Sequence, residues 1–116
     1  MRNRAAIRER YLRDGLPVRL GGLAANLARV KSFSDRPEHR DVVENLVEES
    51  KFFIEWTAPE AALEIQVGLV ELQLQLAQWQ LRWNEIWTDP ARRASMAERA
   101  YERSKWVLEV SGLLNH

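Results

Sequence analysis

ALEIQVGLVELQLQLAQWQLRWNEIW, residues 62–87, carries two apolar stripes on what reads as one helix. Ala62, Ile65, Leu69, Leu72, Leu76, Trp79, Trp83 and Ile86 recur at alternating steps of three and four, and so do Leu63, Val67, Val70, Leu74, Ala77 and Leu81. At about 100° per residue the two stripes point about 170° apart, with polar lanes between them. A helix that is apolar on opposite sides needs cover from opposite sides, so this segment is expected at the centre of the architecture. Apolar and polar residues also alternate from Glu64 to Trp83, which is the pattern of a half-buried strand. Helix is preferred. The residues are mostly Leu, Gln, Glu and Ala rather than β-branched, the run has no internal turn signal, and the alternation slips at Leu69-Val70 and Leu76-Ala77 while the heptad spacing runs through.

Working outward, prolines mark the neighbouring helix starts. Asp35-Arg36-Pro37-Glu38 and Thr57-Ala58-Pro59-Glu60 each read as a cap, a proline in the first turn and a Glu reaching back, and Thr88-Asp89-Pro90-Ala91 repeats the device without the Glu. Pro17, after Asp14-Gly15-Leu16, opens a fourth helix, and Gly112 stops the last. The expectation is an all-α fold. An antiparallel bundle of four main helices (about 17–33, 36–56, 58–87 and 90–111) is joined by a short N-terminal helix (about 3–13), in a single domain over 1–116. The core stripes are Leu16, Leu20, Leu23, Leu27 and Val30 in the second helix, and Val43, Leu46, Val47, Phe53 and Ile54 in the third, with Phe52 and Trp56 on a neighbouring strip. The last helix has the weakest stripe, Ala97, Ala100, Tyr101, Ser104, Val107, Leu108 and Ser111. Gly21-Gly22 inside the second helix calls for close packing or a kink to offset the loss of helix propensity.

The expected helix 58–87 is about 45 Å long at 1.5 Å per residue, against a diameter of roughly 35 Å for a compact chain of this size. Either the bundle is elongated or one end projects. Trp79, Trp83 and Trp87 lie on one strip at that end. Two readings compete. The other helices surround the long one and the tryptophans are core, or one apolar face packs within the subunit and the opposite face packs on a twofold mate. The second is preferred, because neighbours in a regular bundle cover faces about 90° apart. Leu69, Leu72, Leu76, Trp79, Trp83, Ile86 and Trp87 are the expected interface residues, with Gln66, Gln73, Gln80 and Asn84 as a polar margin.

Composition excludes several chemistries. The 116 residues contain no cysteine, so disulfides, thiolate metal sites and thiol catalysis are out. No apolar run approaches the roughly 20 residues of a membrane span, and the charged start, Met1 to Arg4, is followed by no apolar stretch, so a cytoplasmic protein without membrane contact is expected. Net charge is zero but uneven: residues 1–34 carry eight Lys/Arg against Glu9 and Asp14, and residues 35–87 carry four against eleven acidic residues. The basic N-terminal helices are expected to pair with the acidic middle ones. A nucleic-acid partner is disfavoured by the pI of about 6.8.

Catalytic motifs fail on spacing. His39-Arg40-Asp41 with Asn45 has the flavour of a kinase catalytic loop, but the Asn is one residue early, and no Gly-rich loop accompanies it. Arg36-x-x-His39 is too tight for a helical ribonuclease of the HEPN kind. Glu44 and Glu48, with Glu49 and Glu55, could serve a Mg²⁺ site as in all-helical nucleotide pyrophosphatases, but the Glu38-x-x-Asp41 element precedes the pair on the same helix. The later helices supply only Glu64 and Glu71. The di-iron pattern needs Glu-x-x-His motifs that are not present. His39 and His116 are expected at the surface. No cofactor, metal or catalytic residue is assigned.

Asn26-Leu27-Ala28-Arg29-Val30-Lys31-Ser32-Phe33-Ser34, followed by Glu48-Glu49-Ser50-Lys51-Phe52-Phe53-Ile54-Glu55-Trp56-Thr57, resembles small helical proteins of cyanobacteria, a likeness extending over the second to fifth helices. The resemblance implies a bacterial cytoplasm and a role in a photosynthetic cell, and transfers no functional residue. The expected function is a non-enzymatic interaction or adaptor protein, homodimeric through the long helix. The alternatives are a Mg²⁺-dependent nucleotide hydrolase using acidic helix 36–56, and a regulatory protein that binds nucleic acid through its basic N-terminus.

Overall fold

The computed structural model describes residues 3–114, so Met1, Arg2, Asn115 and His116 lie outside the described residues. Among the described residues every regular element is helical. Helix α1 (Arg4–Arg13) starts on Asn3, whose side chain accepts the amide of Ala6. Helix α2 (Leu16–Phe33) follows Gly15, with Pro17 in its first turn. A 3₁₀ turn, Pro37–His39, leads into α3 (Arg40–Thr57), and a second 3₁₀ turn, Ala58–Glu60, leads toward α4 (Leu63–Leu81). Helices α5 (Trp83–Thr88) and α6 (Pro90–Ser111) complete the chain.

The long helix expected over 58–87 is therefore three pieces. Ala61 and Ala62 are extended at its start (ψ 156° and 153°), and Arg82 (φ −109°, ψ 23°) breaks it again. Neither break falls on glycine. Side chains from distant elements hold the first corner and the end of α5. At the first, Glu60 does not reach back to Thr57. It takes a two-pronged grip from Arg19 on α2, Nη1 to Oε2 at 2.9 Å and Nη2 to Oε1 at 2.8 Å. Thr57 stays in the last turn of α3, fully buried, and donates to the Tyr11 hydroxyl. At the end of α5, the Trp87 indole donates to the Pro37 carbonyl at 2.8 Å, and Arg93 donates to the carbonyls of Trp87 and Ser34. The fold measures 38 × 30 × 23 Å, so a 45 Å rod would not have fitted, whereas α4 spans about 27 Å.

Other starts fall near expectation. Asp89 caps α6 by accepting the amides of Ala91 and Arg92, and Gly112 ends it at φ +82°, a left-handed conformation that side-chain-bearing residues rarely adopt. Asp35 is no cap: the 3₁₀ turn begins after Arg36, without a side-chain cap bond.

One cluster of buried side chains unites the elements. Leu20, Leu23, Leu27 and Val30 of α2 meet Val43, Val47 and Ile54 of α3, Leu69, Leu72 and Leu76 of α4, and Ala100 and Val107 of α6. Each fully buried Leu or Val is worth about 1.5–3 kcal/mol. On α6 the inward line is Met96, Ala100, Ser104, Val107 and Ser111, while Tyr101 points to solvent. Ser104 donates to the Ala24 carbonyl at 2.7 Å, fastening α6 to α2. Gly21 answers the question of Gly21-Gly22 by close packing: a Cβ there would collide with Leu113.

Candidate interaction surface

Helix α4 is sheltered on one side and bare on the other. Leu69, Leu72 and Leu76 are 0% exposed and Trp79 is 9% exposed, whereas Leu63, Val67, Val70, Leu74 and Leu81 are 72, 53, 53, 61 and 85% exposed. Ala77, between Leu74 and Leu81, is half-buried. With half-buried Ala77 between the last two, the bare residues step by four and three from 63 to 81 and form one apolar ridge about 27 Å long.

The residues expected at a subunit interface are thus the chain's own core. Leu69, Leu72, Leu76, Trp79, Trp83 and Trp87 are buried and Ile86 packs half-buried against them. Side chains already covered by their own chain have no surface left to offer. The tryptophans form the corner at the end of α4, where Trp83 and Trp87 stack at 5.4 Å. The apolar side left open on α4 is the opposite stripe, Leu63, Val67, Val70, Leu74 and Leu81.

Each margin of the ridge rests on a different helix. On the α3 side, Lys51 donates to Gln80 at 2.8 Å, and Gln73 and Gln80 share a groove of about 260 Å³ with Glu48, Phe52 and Glu55. Gln66 reaches back to the Ala58 carbonyl at 2.8 Å, which pins the first turn of α4 to the preceding corner. The Oε1 of Gln73 is buried with no hydrogen-bond partner among the described residues. On the α6 side, Arg103 donates to Gln75 at 3.1 Å, and Trp106 lies directly on Gly68, where any Cβ would collide with the indole. Glycine at 68 is a requirement of that close approach. Arg82 and Arg99 line the next groove along, with Gln75 and Trp79.

The corner that launches α4 is held by a buried polar cluster. Arg19, 4% exposed, also donates to the carbonyl of Asp14. Tyr11 donates to the Arg19 carbonyl at 2.6 Å and stacks on Phe53 at 4.0 Å. Burial pushes the Tyr11 hydroxyl up to about 12. Its hydrogen bond to Arg19 holds the Glu60 carboxyl below the usual range, and the same bond raises Arg19. With every group partnered, the cluster reads as a structural staple.

The other candidate chemistries are dispersed. Among the described residues no group of three or more His, Asp or Glu is placed to hold a metal ion. Glu44 is exposed on α3, Glu48 lies 3.9 Å from Arg4, and Glu49 accepts from Asn26. His39 sits on the Phe33 ring and its Nδ1 lies 3.1 Å from the Phe33 carbonyl. The basic N-terminal region spends several cations within the chain: Arg4 covers the Phe52 ring at 3.8 Å, Arg13 pairs with Glu9, and Arg19 with Glu60. Two of these contacts, Arg4–Glu48 and Arg19–Glu60, join the basic first third to the acidic middle. No helix among the described residues is long and apolar enough to cross a membrane. No family model, no curated protein and no solved structure matches the chain.

Proposed function

We propose that the chain is a helical interaction protein that works as a homodimer, with the outer stripe of α4 as its contact surface. The observation that carries the reading is the ridge itself: five large apolar side chains, each more than half exposed, on one uninterrupted heptad line. Scattered exposed hydrophobics are ordinary, whereas a large contiguous apolar patch marks an interaction site. The spacing selects the kind of cover. Apolar residues every three and four positions present a seam for a second helix, each knob entering a hole between four residues of the facing helix. The same helix repeated in a second copy meets that need without any other component.

Light scattering tests it. At tens of micromolar the wild type is expected at twice the 13.5 kDa of one chain, and Leu74→Glu, with a charge in the middle of the ridge, at the single-chain mass with unchanged helical content. A wild type of single-chain mass at that concentration removes the reading.

A further inference from the structure

We draw no further inference here: the strongest candidate, the groove between α4 and α6 lined by Arg82, Arg92 and Arg99 with Trp79 and Met96, points to no ligand, because among the described residues Arg92 is matched by Glu85 and Asp89 and Arg99 by Glu102, and none of the groove's lining residues has a buried polar atom without a partner.

Discussion

The two faces of α4 are made from nearly the same residues and end in opposite environments. Leu69, Leu72 and Leu76 face inward and touch no water, while Leu63, Leu74 and Leu81, on the same nineteen-residue helix, are mostly exposed. The difference does not come from hydrophobicity. It comes from what lies alongside: α3 and α6 close over the inner face, and among the described residues nothing crosses the outer one. An apolar stripe states that cover is needed, and the rest of the fold decides whether the cover is supplied from within.

Truncating one leucine on each face should separate the two environments most sharply. Leu72→Ala removes a fully buried side chain and is expected to cost about 2–5 kcal/mol in urea unfolding. Leu74→Ala, measured on dilute protein, is expected to stay within about 0.5 kcal/mol of wild type. Equal losses at the two positions would mean that the outer face is covered within the chain. Gly68→Ala probes the boundary between the faces. Its methyl would push Trp106 off α4, and overpacking of this kind costs about 1–3 kcal/mol; an unchanged unfolding midpoint would show that the indole moves aside freely.

A smaller effect is expected at the corner that sets the direction of α4. Tyr11→Phe loses the buried hydrogen bond to the Arg19 carbonyl and is expected to cost about 1 kcal/mol at neutral pH. Because the folded-state value of Tyr11 is raised, its contribution is whole below pH 10 and is lost as pH rises through about 12. The wild type should therefore lose stability over that interval, and Tyr11→Phe should lose less. The sign is reversed for Glu60. Its value is lowered in the fold, so its contribution is present above the ordinary carboxylate range and falls away as pH drops through the folded value. Glu60→Gln should flatten the acid limb of the stability profile, and an unaltered limb would show that the Arg19 contact adds nothing in solution. Gln73→Met is the mildest change. It removes an amide oxygen buried without a partner and is expected to leave stability unchanged or raise it by about 1 kcal/mol.

Helix identity was legible in residues because its causes are local. Pro17, Asp89 and Gly112 act within one turn of themselves, and the heptad spacing of 62–87 distinguishes helix from strand without reference to the rest of the chain. The corners were not legible. Thr57-Ala58-Pro59-Glu60 has the form of a capping box, but Arg19, 41 positions away, takes Glu60 and Tyr11 takes Thr57. Arg82 carries no mark of a break, and the contacts that hold the end of α5 after it, Trp87 with Pro37 and Arg93 with Ser34, span 50 and 59 positions. The contact face was half legible. Both stripes stood out in the sequence, but the tryptophans drew the interface assignment to the inner one, since large aromatics suit a core and a contact surface equally well.

What the amino-acid order settled by itself is that this chain is helical and that one of its helices is apolar on two opposite sides, because periodicity and capping depend only on neighbours a turn apart. Which side is enclosed, where the helix is cut and which ridge is left to the solvent were decided by tertiary contacts. Those outcomes depend on which side chains reach one another across the fold, and such distances are not written in spacing along the chain.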